Sequence, residues 1–253
     1  MRILITNDDG IEAEGIKQLV IALKEIGEVY VVAPESEMSA CGHGITIHRP
    51  IQVRKYRKFN DVTAWSITGT PADCVKLGIT TLIKEKPDIV VSGINLGPNL
   101  GTDILYSGTV SGAIEGIVLG IPSIAISLDS HSPKHFTFSK DVAKYLCKQM
   151  LSKELASDTL LNVNVPDLPK NQIKGYKITI LGERKYINNY DHRTDPRGND
   201  YYWLTGELIP PHVNDLELDV NAVKNSYVSV TPIHFDLTNY KIIEQIKSWG
   251  IEK

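Results

Sequence analysis

Two adjacent carboxylates stand where the first apolar run of the chain ends. The run Arg2–Thr6 is followed directly by Asn7, Asp8, Asp9 and Gly10. Adjacent carboxylates repel each other unless a cation lies close to both, and their hard oxygen atoms suit Mg²⁺ or Mn²⁺. The simpler alternative is that an aspartate here caps the helix that follows. For the pair, the sequence favours a metal site at Asp8 and Asp9.

A second polar segment follows a strand of the buried type, predicted at Asp88–Ser92. Asn95 comes just after that strand, so its side-chain oxygen is placed to act as a neutral metal ligand. Further on, Ser107, Gly108 and Thr109 open a predicted helix, where free backbone N–H groups, a glycine and two hydroxyls can bind phosphate. The sequence therefore indicates a phosphate site, with simple capping by Ser107 as the alternative.

A third loop, Glu35–Gly44, is rich in small and polar residues. Its serines are typical turn residues, which is sufficient reason for them to be there. Spacing alone does not distinguish Ser36 from Ser39 as a ligand, so the choice between them stays open at this point.

The strands and helices that flank these three loops are expected to bring them to the same edge of one sheet. Apolar runs and helical periodicities alternate as far as Val165, which is typical of an open, doubly wound α/β fold with a mostly parallel sheet. Ligands of such sheets bind outside the carboxyl ends of the strands. The stretch of about 182–236 departs from the alternation. We expect it to project as an extended C-terminal arm from a single domain spanning residues 1–253.

The individual elements follow from local patterns. Helices are predicted at Pro71–Lys84, from Gly108 onward, at Ser139–Leu151 and at Asn239–Trp249, with an earlier one that carries Ile16, Leu19, Val20 and Leu23 on one face. Two extended stretches, Thr46–Tyr56 and Val62–Thr68, are expected to pair as a β-ribbon. The main strands are predicted at Arg2–Thr6, Glu28–Ala33, Asp88–Ser92, Pro122–Leu128, Leu160–Val165 and Ser226–Ile233.

Composition narrows the class of protein. The chain has 253 residues and a formal charge of −3, so no excess of positive charge indicates a nucleic-acid polymer as partner. Its three scattered cysteines indicate neither a disulfide framework nor a zinc site. The N-terminal sequence lacks the pattern of a secretory signal, and the stretch Ile117–Leu128 is too short to span a bilayer. We expect a cytoplasmic protein that does not associate with membranes.

The three loops together predict metal-assisted hydrolysis of a phosphate ester. The motifs GxxxxGK[ST] and GxSxG do not occur, and no GxGxxG follows the first strand, which disfavours other phosphate-binding and acyl-transfer enzymes. The predicted arm carries a basic cluster that is either a solvated surface or the source of a residue for a neighbouring subunit's phosphate. Its members are Arg184, Lys185, Arg193 and Arg197.

Eight blocks of residues, in the same order along nearly the whole chain, carry a resemblance to a known family. They are ITNDDG at 5–10, VAPESEMSACGHGIT at 32–46, TGTPADCVKLG at 68–78, DIVVSGINLGPNLGTDILYSGTVSGAIEG at 88–116, PSIAIS at 122–127, NVNVP at 162–166, DPRGNDYYWLTGE at 195–207 and YVSVTPIHFDLT at 227–238. In these blocks the chain resembles the SurE (survival protein E) family of metal-dependent nucleotide phosphatases. The NDDG motif alone would support far less.

The resemblance implies a Rossmann-like fold and hydrolysis of nucleoside 5′-monophosphates, with 3′-monophosphates and short polyphosphate as further substrates. It implies one Mg²⁺ or Mn²⁺ ion per subunit, and the family's metal ligands fall on Asp8, Asp9, Ser39 and Asn95. Of these, Asp8, Asp9 and Asn95 are the predicted catalytic residues. The implied phosphate-binding positions are Asn95, Asn99, Ser107, Gly108 and Thr109.

The resemblance also implies a homodimer or homotetramer whose subunits exchange C-terminal segments. In one respect the chain departs from many relatives, since Leu96 stands where they carry a longer polar or basic residue. We expect that change to bear on nucleotide preference and not to abolish metal binding, because no ligand is lost. The attacking group stays open between water and the carboxylate of Asp8.

Overall fold

The N-terminal strand lies in the middle of a mixed sheet. The computed structural model describes residues 1–153, 155–209 and 215–251. Its strands are β1 (Arg2–Thr6), β2 (Glu28–Pro34), β3 (Val53–Tyr56), β4 (Thr63–Ile67), β5 (Ile89–Leu96), β6 (Ser123–Asp129), β7 (Thr159–Pro166), β8 (Tyr176–Ile178), β9 (Lys185–Thr194), β10 (Asp200–Ile209) and β11 (Val228–His234). Nine strands of the described residues form one sheet in the order β3-β4-β2-β1-β5-β6-β7-β11-β8.

Helices cover both faces of this sheet. They are α1 (Glu14–Leu23), α2 (Pro71–Leu77), α3 (Gly108–Val118), α4 (Phe136–Ser152), α5 (Asp219–Lys224) and α6 (Ile243–Lys247). Successive residues of a strand point to opposite faces. Accordingly, Ile3 and Ile5 pack in one apolar cluster with α1 and α4, and Leu4 packs in another with α2. The predicted doubly wound α/β class is therefore confirmed. No helix in the described part of the chain is long and apolar enough to cross a bilayer.

The strand order reverses beside β1, and this reversal creates a crevice. The chain moves outward from β1 to β2 and β4, then returns to β5 and continues through β6 to β7. All of these pairs are parallel, so their carboxyl ends meet at one edge. Gly15 lets α1 pack closely here, because a Cβ at that position would lie only 1.9 Å from the carbonyl oxygen of Ile94.

The projecting arm is shorter than predicted. Within the stretch 182–236, the strands β9 and β10 leave the main sheet as an antiparallel ribbon. Strand β11 instead lies between β7 and β8, with Val228 and Val230 buried. The prediction is wrong for β11, since its alternating buried residues make it an ordinary sheet strand despite the irregular sequence before it. Residues 210–214 of the predicted arm lie outside the described residues.

Two other elements are shorter than predicted, for local reasons. The helix predicted at Pro71–Lys84 is α2 followed by one π turn at Gly78–Leu82. The extended stretch from Thr46 becomes a strand only at β3, because the backbone N–H of Thr46 donates to the carboxylate of Asp73 instead of to a strand. The antiparallel pairing of β3 with β4 confirms the predicted ribbon.

Candidate active site

Asp8 and Asp9 lie at the carboxyl end of β1, next to β5. The register pairs Thr6 with Ser92 across these strands. Helix α1 begins only at Glu14, and no side chain caps its N-terminus. The capping alternative is therefore wrong for the helix that follows, since neither carboxylate caps it.

The carboxylate of Asp8 instead bonds the N-terminus of α3. Oδ1 of Asp8 accepts the hydroxyl hydrogen of Thr109 at 2.5 Å, and Oδ2 accepts the backbone N–H of Thr109 at 3.1 Å. Both residues are buried. A negative charge is favoured at a helix N-terminus, where N–H groups have no partner within the helix. These two bonds join the loop after β1 to the predicted phosphate turn.

Gly108 makes the contact between Asp8 and the turn possible. A Cβ at position 108 would lie 2.7 Å from Cβ of Asp8, 2.9 Å from its Oδ2 and 3.1 Å from Sγ of Cys41. Atoms in ordinary contact are about 3.5–4.0 Å apart. A larger residue would therefore displace Asp8 or the loop that carries Cys41.

Asp9 is fixed from the side of β5. Its Oδ2 accepts the backbone N–H of Leu96 at 3.2 Å. The bond uses only the backbone of residue 96, so the departure to leucine leaves it intact. Asp9 and Asn95 are thereby brought to the same end of two adjacent strands.

The two carboxylates are close together with little to neutralise them. Burial raises the pKa of Asp8, and the hydrogen bonds from Thr109 oppose that rise. Burial first, and the charge of Asp8 second, raise the pKa of Asp9 to about 6. No basic side chain in the described residues lowers either pKa. A divalent cation would offset both burial and repulsion, so this pair fits a hard metal ion.

Asn95 presents one oxygen at the same edge. It is nearly buried, and its Nδ2 donates to the carbonyl of Gly97 at 2.8 Å, which leaves Oδ1 as the side-chain atom suited to a cation. Throughout the ranges that the structure describes, no group of three or more His, Cys, Asp or Glu side chains is arranged to hold a metal. A metal site here accordingly combines the two aspartates with neutral oxygen ligands.

Ser39 lies on a loop that reaches Asp8 through its backbone. The N–H of Met38 donates to the carbonyl oxygen of Asp8 at 2.7 Å. The hydroxyl of Ser39 is exposed and donates to Glu37 at 2.8 Å. The structure thus brings the loop to the crevice, with the predicted ligand atom engaged by Glu37.

The predicted phosphate turn combines a cap with a free donor. Oγ of Ser107 accepts the N–H of Val110 at 3.0 Å, so Ser107 does cap α3. Both donors of Thr109 go to Asp8. Among the described residues, the N–H of Gly108 donates no hydrogen bond. This N–H is the donor that the turn leaves for an anion.

Asn99 is held by neighbouring strands. Its Nδ2 donates to the hydroxyl of Ser127 at 2.8 Å, and Asn162 and Asn164 each donate to its carbonyl oxygen at 2.9 Å. Asn99 is itself nearly buried. The structure therefore shows Asn99 supporting the loop, and shows no hydrogen bond from it to the turn within the described residues.

Sequence reasoning missed one charged cluster behind the site. Glu115 of α3 is buried, with Oε2 3.0 Å from Nε2 of His43 and Oε1 2.7 Å from Nζ of Lys76. The hydrogen bond with His43 is the largest cause that lowers the pKa of Glu115, and that with Lys76 adds to it. The feature of the sequence that could have revealed this cluster is Glu115 itself, a carboxylate in a helix that is otherwise made of apolar and small residues. The cluster ties the loop of His43 to α2 and α3.

Two members of the arm's basic cluster, Arg184 and Lys185, form ion pairs within their own chain. Arg184 is largely buried and pairs with Asp103 at 2.9 Å. Lys185 pairs with Glu183 at 2.8 Å on the surface. The solvated-surface interpretation is thus wrong for Arg184, which anchors the base of the ribbon beside the 3₁₀ turn Gly101–Leu105.

Comparison with known proteins shows which sequences and structures this chain resembles. The family model described as Survival protein SurE matches residues 3–188. A curated protein of Pelotomaculum thermopropionicum named 5′-nucleotidase SurE is 55% identical over 98% of this chain and 94% of its own length. Its namesake from Heliobacterium modesticaldum is 50% identical over 98% and 92%. The crystal structure of the SurE protein from Aquifex aeolicus matches with a TM-score of 0.85 and 45% identity, covering 99% of this chain and 100% of that one.

Proposed function

This chain belongs to the SurE family, and we propose that it hydrolyses nucleoside 5′-monophosphates to nucleoside and phosphate. Relatives that align over nearly their full length carry the name 5′-nucleotidase. The observation that supports the activity most directly is the pair of hydrogen bonds between Asp8 and Thr109. These bonds place carboxylates suited to a cation beside a helix N-terminus suited to an anion.

We assign one Mg²⁺ or Mn²⁺ ion to Asp8, Asp9, Ser39 and Asn95. A divalent cation, when bound, neutralises charge on the phosphate and polarises the attacking group. The raised pKa values of the two aspartates support the assignment, since they reflect burial and repulsion that a cation would offset. Ser39 joins this set by turning its exposed hydroxyl away from Glu37.

The phosphate is proposed to lie against the turn that opens α3. The free N–H of Gly108 and the positive end of the helix favour an anion there. Asp8 holds Thr109 in place through two bonds, so the turn is arranged before substrate arrives. Donors fixed in advance stabilise developing charge without the cost of reorganisation. Asn95, Asn99 and Ser107 complete the proposed set of phosphate-binding residues.

Substrate range, location and assembly belong to the same proposal. We extend the substrates to 3′-monophosphates and short polyphosphate, and we place the protein in the cytoplasm. We further propose a homodimer or homotetramer that exchanges C-terminal segments. Exposed apolar side chains on β10 support assembly, because Tyr202, Trp203 and Leu204 are 60%, 60% and 66% exposed. Surfaces of this kind are typical of interfaces.

Release of phosphate from AMP tests the proposed activity. We expect release with Mg²⁺ or Mn²⁺ and none with EDTA, and we expect Asp8→Asn to lower kcat/KM by about 100-fold or more. Asp61→Asn is the matched control, since it removes a carboxylate that is 93% exposed, and it should retain activity. Binding of AMP without turnover would instead identify a nucleotide sensor and overturn the proposal. The same assay with 3′-AMP and polyphosphate decides the substrate range.

A further inference from the structure

Two large apolar side chains are exposed directly before the buried phosphate turn. Leu105 and Tyr106 are 65% and 66% exposed, whereas Ser107 is 5% exposed. Single exposed apolar residues are common on protein surfaces. An exposed aromatic ring next to a buried polar site is more informative, because ligand sites typically combine a few polar groups with apolar walls.

The backbone that carries Tyr106 is held firmly. The N–H of Tyr106 donates to the carbonyl of Asp103 at 3.0 Å, and its own carbonyl accepts the N–H of Gly42 at 3.0 Å. Gly42 has a φ of +56°, and a Cβ there would lie 3.3 Å from the carbonyl oxygen of Leu105. The segment is therefore clamped between its own 3₁₀ turn and the loop that also carries Ser39. A ring on such a segment loses little conformational freedom when a ligand contacts it.

The ring of Tyr106 is not used elsewhere in the described residues. It takes part in none of the aromatic pairs or cation–π contacts of those residues. Tyr106 therefore offers an exposed ring, on a backbone held by hydrogen bonds, one residue before the turn that opens α3.

We infer that Tyr106 forms the surface on which the nucleobase of the substrate stacks. The inference rests on the proposed function, since it assumes that a phosphate binds at Gly108. Consecutive Cα atoms are about 3.8 Å apart, so Cα of Tyr106 lies at most about 8 Å from Cα of Gly108, which is within the length of a nucleotide. The base of a nucleoside 5′-monophosphate is joined to its phosphate through the ribose and must lie near the rim of the turn. An aromatic ring there covers its apolar face.

Stacking on Tyr106 should favour substrates that carry a nucleobase over substrates that carry none. Every nucleobase has a π face, so a ring that makes no hydrogen bonds to base edges distinguishes bases weakly. We therefore expect similar activity with AMP and GMP, and markedly lower activity with ribose 5-phosphate, which has the same phosphate and sugar but no base.

The test compares AMP with ribose 5-phosphate in the full-length protein. Tyr106→Ala should lower kcat/KM for AMP about fivefold or more, mainly through KM, and should leave kcat/KM for ribose 5-phosphate unchanged. Tyr106→Phe keeps the ring and should retain the preference for AMP. Tyr145→Ala, which removes a half-exposed tyrosine from α4, is the control and should match the wild type.

Three results would overturn the inference while leaving the proposed function in place. They are equal kcat/KM of the wild type for the two substrates, an equal loss for both substrates in Tyr106→Ala, and no loss for either. An equal loss would indicate that Tyr106 merely supports the turn. A wild-type protein that hydrolyses neither substrate would overturn the proposed function and, with it, the base-stacking site.

Discussion

At the scale of residues, the site keeps two carboxylates where the fold disfavours their charge. The pKa of Asp9 is about 6 in the folded chain, against an ordinary value of 3.8. The folded state therefore binds this proton more tightly than the unfolded state does. The resulting stability is present below pH 4 and is lost as the pH rises through about 6. A bound metal ion stabilises the folded state at higher pH instead, because it requires the deprotonated carboxylate of Asp9.

Replacing Asp9 separates these two effects. In EDTA at pH 7.5, Asp9→Asn should raise Tm above that of the wild type, because a buried charge beside Asp8 has been removed. At pH 4 the two proteins should differ little. Adding Mn²⁺ at pH 7.5 should raise the Tm of the wild type and not that of the variant. Differential scanning calorimetry measures both proteins under all three conditions, and an equal response of both proteins to Mn²⁺ would contradict the assignment.

The hydroxyl of Thr109 should matter through Asp8. Thr109→Val removes the donor that lies 2.5 Å from Oδ1 of Asp8 and leaves that buried oxygen unpaired. A hydrogen bond to a charged group contributes about 1.5–3 kcal/mol, so Mn²⁺ affinity should fall about tenfold or more. Thr109→Ser keeps the hydroxyl and serves as the control. Titration of free Mn²⁺ by electron paramagnetic resonance gives both affinities, and unchanged binding in Thr109→Val would refute the role.

The sequence predicted some of these residues better than others. Asp8 and Asp9 stood out because two carboxylates directly follow an apolar run. The hydrogen bond from Thr109 to Asp8 could not be predicted from the sequence, since it joins residues 101 positions apart. Ser39 was assigned only through the family resemblance, because the position of its hydroxyl depends on contacts that local pattern does not encode.

At the scale of elements, the loop that carries Ser39 depends on the helices behind it. His43 pairs with Glu115 of α3, and the hydroxyl of Thr70 donates to the carbonyl of Gly44 at 2.7 Å. These partners come from distant parts of the chain. That is why sequence patterning predicted the strands and helices of the sheet and not the course of this loop.

Removing Glu115 should loosen the loop. Glu115→Ala leaves His43 and Lys76 without their shared partner, and we expect the free energy of unfolding to fall by about 1–3 kcal/mol. Amide hydrogen exchange across residues 39–46 should become faster than in the wild type. Glu115→Gln preserves the shape of the side chain and should show a smaller change. If the exchange of residues 39–46 stays the same in Glu115→Ala, the cluster does not hold the loop.

At the scale of the whole molecule, the described residues form two separate sheets, the nine-stranded sheet and the two-stranded ribbon. The alternation of strands and helices predicted the doubly wound sheet, because each βαβ unit is local in sequence. The pairing of β11 with β7 and β8 is not local, and for this reason the arm predicted from the sequence extends too far along the chain. Lys185 and Ile209 pair at the base of the ribbon, so the ends of this segment lie side by side.

Excising the ribbon should affect assembly more than folding. Replacing residues 185–209 with a short Gly-Ser linker should leave the helical and strand content of the main sheet intact and reduce the assembly to smaller species. Deleting residues 182–236 should instead prevent folding, because it removes β11. Circular dichroism and light scattering report the two properties. An unchanged number of subunits after excision of the ribbon would show that it does not assemble the protein.

The central claim is that one divalent cation lies between the loops after β1 and β5. Diffraction from crystals soaked in Mn²⁺, measured near the manganese absorption edge, locates such an ion directly. We predict one anomalous peak within coordination distance of Asp8, Asp9 and Asn95, with the hydroxyl of Ser39 turned toward it. A map with no peak between these side chains, from crystals in which Mn²⁺ binds elsewhere, would contradict the claim.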